Sequence, residues 1–396
     1  SVMVKKFGGT SVGSIERIEA VADRIVDDRH GGQKPIVVAS AMSGETNRLV
    51  RLAAELNPHD RGQAYDMLLA SGEQVSIALL AMALEKRGVH AVPLLAHQLG
   101  IRTDSIYSKA RIQSVNGESL LAHVDRNEVP IVAGFQGVSP DDRITTLGRG
   151  GSDTTAVALA AAIGSEGCEI FTDVPAVFSA DPRLVQRARE IPQLDFEEMM
   201  EMASLGSKVL HFRCVELAAK FKVRLHVRST FEQREGTWIL PEGASMETPV
   251  VSSVTHDPNT AVIEVFPVPF EQGAKARLFE MLAERSIVVD IITQSHNDQG
   301  QRVAFSVHEE DLHGAQDVVH EILGSAASLR VLQGMAKIST IGVGMRNHPG
   351  VAARFFAVLD RVGAPVHLVT TSEIKISAVI DKKLLKKAAE ALHTEF

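Results

Sequence analysis

Cysteine is nearly missing: the chain has two in 396 residues. Cys168 and Cys214 stand in apolar stretches with no second pair and no histidine cluster. That excludes a disulfide framework and a structural zinc site, and leaves buried thiols of a reducing compartment as the expectation. No surplus of positive charge exists either, since 41 Lys and Arg face 49 Asp and Glu for a net charge of −8 and a pI of about 6.0. A dedicated nucleic-acid surface or a polybasic membrane surface is therefore not expected. In the sequence, no apolar run reaches the roughly 18–20 residues of a membrane span. The N-terminus lacks a signal-peptide pattern, Ser1 in place of Met points to processing or trimming, and a cytoplasmic location is expected. What is present suits a globular protein: 45% hydrophobic residues and a mean hydropathy of +0.05, over a length that implies two or three domains.

The most informative stretch is Thr145-Thr146-Leu147-Gly148-Arg149-Gly150-Gly151-Ser152-Asp153-Thr154-Thr155. It lies between a strand-like run, Val129 to Phe135, and an alanine-rich helical run, Ala156 to Ile163. Ordering glycine costs more backbone entropy than ordering any other residue. In return the loop offers close backbone approach, N–H donors at a helix start that favour anions, and Arg149 as a planar fork for carboxylate or phosphate. The design recurs at the beginning of the chain. Strand-like Met3 to Phe7, with Lys6 near its end, runs into Gly8-Gly9-Thr10-Ser11-Val12-Gly13, and Ile15, Ile18, Ala22 and Ile25 then recur at helical spacing. This is not a Walker A loop, because the order G-x-x-x-x-G-K-[ST] is absent. Further strands, Pro35 to Ala39, Ala91 to Leu95 and Cys168 to Phe171, alternate with helical segments such as Met67 to Leu84. Such alternation predicts a mostly parallel sheet covered on both faces, with ligands at the carboxyl ends of its strands.

From about Pro241-Glu242-Gly243-Ala244-Ser245 onward the composition changes, and an internal repeat appears. At an offset of 77 (350 − 273), Gly273 meets Gly350, and Ala276-Arg277-Leu278-Phe279 meets Ala353-Arg354-Phe355-Phe356. Leu282, Val289 and Thr293 likewise meet Leu359, Val366 and Thr370. Each copy reads strand, glycine turn, helix, strand, further strand.

Lys6-Phe7-Gly8-Gly9-Thr10-Ser11, Leu69-Ala70-Ser71-Gly72-Glu73, Gly100-Ile101-Arg102-Thr103-Asp104, Ala133-Gly134-Phe135-Gln136-Gly137 and the 145–155 loop together resemble aspartokinase. Asp181-Pro182-Arg183 and Ser204 to His211 continue the resemblance, which spans essentially the full chain. It implies an α/β amino-acid-kinase fold, a mostly parallel sheet sandwiched by helices, followed by two α+β ferredoxin-like ACT domains. The expected division is 1–245 for the kinase domain, 246–330 for a linker plus the first ACT domain, and 331–396 for the second, with strands that interleave with 246–262. The implied reaction is ATP + L-aspartate → ADP + 4-phospho-L-aspartate with Mg²⁺, the first step of the lysine, threonine and methionine pathway.

The resemblance assigns roles residue by residue. Lys6 and Asp153 are expected to be catalytic, the lysine stabilising the transferred phosphoryl group and the aspartate orienting it. Ser40, Thr46, Glu73, Arg149, Gly150, Gly151 and Ser152 are expected to hold aspartate, with Arg149 on the α-carboxylate and Glu73 on the α-ammonium. Lys6, Phe7, Gly8, Gly9, Thr172, Asp173, Phe178, Ser179, Asp181, Arg183 and Lys208 are expected at ATP, and no residue is expected as a dedicated metal ligand. Amino-acid effectors are expected at Gln272, Gly273, Gln294 and Ser295 of the first ACT copy and at Asn347, His348, Ser372, Glu373 and Ile374 of the second. Homodimerisation is expected through these copies, with no second enzyme domain after Phe396.

Some positions depart from the family pattern. Pro175-Ala176 replaces Asp-Gly, Phe178 replaces Tyr, and Phe212 replaces Pro. In the first ACT copy Phe270 takes the place of an aspartate, and an apolar ring cannot accept a ligand's ammonium hydrogen bond. A weakened or retuned first effector site is the expectation. A degenerate kinase serving as amino-acid sensor or partner subunit, and a kinase for a related amino acid, are the alternative readings.

Overall fold

A computed structural model describes residues 1–243, 249–269 and 273–396, with the side chain of residue 326 left aside. The chain forms two compact units: one of Ser1–Val177, Glu190–Ser204 and Lys208–Met246, the other of Phe178–Arg189, Leu205–Ser207 and Glu247–Phe396. The expected boundary at 245/246 lies outside the described residues.

Strands of the first unit are β1 (Val2–Phe7), β2 (Lys34–Ala39), β3 (Ala91–Leu94), β4 (Arg102–Thr103), β5 (Ile112–Ser114), β6 (Val129–Ala133), β7 (Gln136–Val138), β8 (Ile144–Thr146), β9 (Gly167–Thr172), β10 (Gln193–Asp195), β11 (Arg224–Ser229) and β12 (Thr237–Leu240). They make an eight-stranded sheet in the order β10-β12-β11-β9-β1-β2-β6-β3 and a small sheet in the order β5-β4-β7-β8. From β3 to β11 all neighbours in the large sheet run parallel. Every residue of β6, and all of β2 after Lys34, is buried, as expected of strands covered on both faces.

Helices of this unit are α1 (Ile15–His30), α2 (Glu45–Leu56), α3 (Gln63–Glu85), α4 (Gly117–Asp125), α5 (Gly151–Ala162), α6 (Phe196–Ser204) and α7 (Phe212–Phe221). α1 buries Ile18, Val21, Ala22 and Ile25, and Ser14 caps it by accepting from the Arg17 N–H at 3.2 Å. α3 is long and apolar enough, by length and composition, to cross a membrane, with a mean hydropathy of 1.6 over 18 residues. Its burial argues instead for a core helix: Leu69, Ile77, Leu80 and Leu84 are inside, and so are Asp66 and Glu73. The run Val129 to Phe135 does not stay extended throughout. β6 stops at Ala133, Phe135 takes a φ of 73°, and the chain turns into β7.

The second unit is built on β13 (Ser253–Val268), β14 (Val289–Asn297), β15 (Gly300–His308), β16 (Ser328–Ile341), β17 (Leu368–Thr371) and β18 (Lys375–Asp381), in the order β14-β15-β13-β16-β18-β17. Helices α8 (Ala274–Glu284), α9 (Leu312–Leu323), α10 (Val351–Arg361) and α11 (Leu385–Glu395) accompany them. β13 and β16 are long enough to serve both sequence repeats. The C-terminal half of β13 pairs with the N-terminal half of β16 in one, and the two remaining halves pair in the other. Gly273 and Gly350 hold equivalent places, capping α8 and α10 at φ values of 99° and 91°. Each repeat has its own apolar core, one around Leu278, Phe305 and Val318, the other around Phe355, Leu359 and Leu392.

Candidate active site

The site of the first unit forms where β1, β2, β6 and β9 deliver their C-terminal ends. Phe7 lies beside Ala39 on one side and Phe171 on the other, and Ala39 pairs with Ala133. The loops after these residues therefore start at one edge, as strand alternation requires. Because side chains alternate along a strand, Lys5 and Lys6 point to opposite faces. Lys5 is wholly buried and pairs with Glu169 at 2.5 Å and Asp28 at 2.8 Å. Lys6 meets Asp153 of α5 at 2.6 Å, with both side chains about one-tenth exposed. A largely buried ion pair is a poor source of stability, because desolvation consumes most of the Coulomb gain. A lysine held in this way at a strand end is better explained by a task.

The 145–155 stretch is less loop-like than its composition implies. Thr145 and Thr146 close β8, Gly148 and Gly150 turn the chain with φ values of 79° and 68°, and α5 begins at Gly151. Ser152 and Asp153 thus stand in the first helical turn, where the helix dipole favours negative charge. Gly150 is obligatory on two counts. Its φ suits glycine, and a Cβ there would lie 2.3 Å from the Cβ of His211. Arg149 is exposed, and its guanidinium makes no hydrogen bond or ion pair with any described residue.

Glu73 comes from the interior of α3 and is 2% exposed. One carboxylate oxygen accepts from the Ala41 N–H at 3.2 Å, and the other is buried without a partner. Burial raises its carboxyl to about 8. Ser40 follows β2, donating its N–H to Phe7 at 3.1 Å while its carbonyl accepts from Ser76 at 2.7 Å. Thr46 is the second residue of α2. The Gly8 N–H reaches the Phe171 carbonyl at 3.3 Å, which lays the first glycine loop against the end of β9. There Thr172 donates to the Asp173 carboxylate at 3.2 Å. Lys208 is exposed between α6 and α7.

Four residues expected at the nucleotide, Phe178, Ser179, Asp181 and Arg183, belong to the second unit. Ser179 is 2% exposed, with its hydroxyl 2.7 Å from Nε2 of His393 and accepting from the Arg189 N–H at 2.9 Å. Its hydrogen-bonding capacity is used inside that unit. Asp181 pairs with Arg183 at 2.8 Å, which holds the Asp181 carboxyl below its usual range. Ala176 is fully buried and is not among the residues with positive φ, so the chain does not need glycine there.

Sequence reasoning missed Phe135, whose left-handed backbone donates to Thr155 at 3.1 Å and accepts from the Leu147 N–H at 2.9 Å. A bulky residue at such a φ is strained, which marks a site rather than a connector. Asp66 and Arg213 were also passed over. The signals were a carboxylate inside an apolar helical run and an arginine that closes the family motif Val209 to Arg213.

Of the expected effector positions, Gln272 lies outside the described residues. Gln294 on β14 accepts from Lys275 at 2.7 Å, and Ser295 is its neighbour. In the second repeat His348 hydrogen-bonds the Gly344 carbonyl at 2.7 Å, Glu373 pairs with Arg346 at 3.3 Å, and Ile374 donates to Ser372 at 3.3 Å. Asn347 precedes His348 in the same turn. Both cysteines are free and buried, and burial pushes the thiols of Cys168 and Cys214 up.

The profile of the amino acid kinase family matches residues 1–229, and an ACT domain profile matches 338–396. The aspartokinase of Geobacillus stearothermophilus is 45% identical, over 100% of this chain and 97% of its own length. The aspartate kinase Ask_LysC of Stutzerimonas stutzeri is 44% identical with the same coverage. The chain belongs to the aspartokinases. Among solved structures, E. coli aspartokinase III in complex with aspartate and ADP superposes with a TM-score of 0.82 at 25% identity, covering 100% of both chains. The same enzyme with lysine and aspartate gives 0.80 at 26% identity, covering 99% of both.

Proposed function

We propose that the chain is an aspartate kinase, transferring the γ-phosphoryl group of ATP to the side-chain carboxylate of L-aspartate. What carries this is the meeting of Lys6 with Asp153, together with an unengaged Arg149 and a buried Glu73, in a chain of the aspartokinase family. A carboxylate oxygen of the substrate attacks the γ-phosphorus, the bond to the bridging oxygen breaks, and ADP leaves with that oxygen. No base is needed, since the nucleophile is already ionised. What the protein supplies is position and positive charge.

Lys6, held by Asp153, neutralises charge on the transferred group, and the Gly8 and Gly9 amides line the phosphates. Phe7, Thr172, Asp173 and Lys208 complete the nucleotide side. ATP enters as its magnesium complex. Bound with the nucleotide, the ion would neutralise phosphate charge during transfer; among the described residues no group of three or more His, Cys, Asp or Glu is placed to hold a metal. Arg149 takes the α-carboxylate as a fork, Glu73 takes the α-ammonium, and Ser40, Thr46 and Ser152 close the pocket with the backbone of Gly150 and Gly151.

The second unit is the regulatory part. It binds an amino-acid end product and joins two copies of the chain, and lysine is the leading candidate because E. coli aspartokinase III binds it. The first repeat is the weaker binder, since Gln294 already accepts from Lys275.

Release of ADP from MgATP tests the reaction, with L-aspartate, L-glutamate or no amino acid. Aspartate-dependent release is expected, together with a loss of turnover by orders of magnitude in Lys6→Ala while aspartate still binds. Equal turnover in Lys6→Ala would remove that lysine from the mechanism.

A further inference from the structure

A buried carboxylate and a half-buried guanidinium hold the backbone on either side of the segment that ends in Arg149, and the reaction described above uses neither. Asp66, inside α3 and fully buried, accepts from the Ser108 N–H through both oxygens, at 3.0 and 2.9 Å, and from the Thr146 N–H at 2.6 Å. Arg213, at the start of α7, donates from one nitrogen to the Leu147 carbonyl at 2.6 Å and from another to the Ala110 carbonyl at 2.7 Å. Between these clamps the Ala110 N–H donates to the Thr146 carbonyl at 3.0 Å, and a Cβ on Gly148 would lie 3.0 Å from the Ser108 carbonyl. Residues 108–110 and 146–148 therefore run side by side. The carboxylate of α3 takes their N–H groups and the guanidinium of α7 takes their carbonyls. Arg149 is the next residue.

The chemistry of the clamps is costly for a structural device. Arg213 has no carboxylate within ion-pair distance among the described residues, and burial lowers its proton affinity. Burial likewise raises the carboxyl of Asp66, against the N–H bonds that favour its charge. Water could satisfy four backbone groups at a surface loop at far less expense. Charged, two-pronged ends fix direction as well as position. The Gly100 to Asp104 motif joins the same arrangement, because Thr103 hydrogen-bonds Thr145 at 2.6 Å, side chain to side chain.

We infer that Asp66 and Arg213 are positioning residues for recognition of the substrate's α-carboxylate, fixing the 146–148 backbone so that the Arg149 fork faces the ligand. The inference rests on the reading of Arg149 given above. Displacement of a binding group by about 1 Å costs on the order of a hundredfold in a site of this kind.

The test compares Arg213→Met, Arg213→Lys and Asp66→Asn with the parent in KM for aspartate, KM for ATP and kcat, and then combines Arg213→Met with Arg149→Ala. The KM for aspartate is expected to rise by about tenfold or more in Arg213→Met, less in Arg213→Lys, with the KM for ATP changed by less than about twofold. In the double variant Arg213→Met is expected to add nothing to the loss caused by Arg149→Ala, because both act on one contact. An unchanged KM for aspartate, an equal rise in both KM values, or multiplicative losses in the double variant would overturn the inference. If Arg213→Met does not fold, Arg213→Lys and Asp66→Asn carry the same comparison and the same combination with Arg149→Ala. Failure of the underlying reading looks different: Arg149→Ala alone would then leave the KM for aspartate unchanged, and the positioning role would fall with it.

Discussion

Glu73, proposed above to take the substrate's ammonium, would be tuned by that ligand. With a carboxyl raised to about 8 by burial, the empty site holds it mostly protonated at neutral pH. Ionising it at pH 7 costs about 1.4 kcal/mol, the equivalent of one pKa unit. A ligand ammonium about 4 Å away returns about 4 kcal/mol at an effective dielectric of 20, so the ammonium prevails and Glu73 ionises on binding. Aspartate binding at pH 7 is therefore expected to release close to one proton. Calorimetry in buffers of different ionisation enthalpy measures this, and Glu73→Gln should abolish it. Stability follows with a definite sign. Between the ordinary carboxyl range and about 8 the folded chain keeps a proton that the unfolded chain has lost, so this group makes stability fall as pH rises through that window. Urea unfolding at pH 5 and pH 8 should show a steeper decline in the parent than in Glu73→Gln. No decline attributable to Glu73 would mean that the carboxyl is better solvated than its burial implies.

At the scale of elements, the start of α5 is the joint on which the site turns. Gly150 and Gly164 both have left-handed φ values, 68° and 64°, but a Cβ on Gly150 would strike His211 whereas one on Gly164 would meet nothing within 4 Å. Gly164→Ala should cost about 1–2 kcal/mol of stability, the backbone penalty alone, and leave aspartate turnover intact. Gly150→Ala should cost more and weaken aspartate as well, as urea unfolding and KM measurements would show. Much of this region was legible in the sequence. Glycine placement, the strand alternation and the family motifs single out Lys6, Glu73, Arg149 and Asp153 as candidates, and the structure pairs Lys6 with Asp153. Asp66, Phe135 and Arg213 were not legible, because their importance lies in contacts between segments distant in sequence. The surroundings of segment 178–189 were not legible for the same reason. Its motif is contiguous with Thr172 and Asp173, but Ala180 and Val185 pack with Phe355 and Leu392, and burial places a segment more firmly than neighbourhood in sequence.

For the whole molecule, the 77-residue repeat foretold two like modules, and strands β13 and β16 each run through both. Periodicity reveals elements, whereas sharing of a strand depends on register. The regulatory reading predicts a dimer near 85 kDa, twice the chain mass of 42.7 kDa, in sedimentation at assay concentrations. It also predicts weak inhibition by lysine or threonine, little changed in Gln294→Ala. Strong cooperative inhibition lost on that substitution would show a fully working first effector site. The measurement that tests the central claim most directly is trapping of the product. With MgATP, L-aspartate and hydroxylamine, an acyl phosphate on the side chain is captured as the aspartate β-hydroxamate. The account predicts hydroxamate in amounts matching ADP, dependent on aspartate and absent with L-glutamate. Measurable aspartate binding with neither hydroxamate nor ADP would contradict it and identify the chain as a sensor built on a kinase fold.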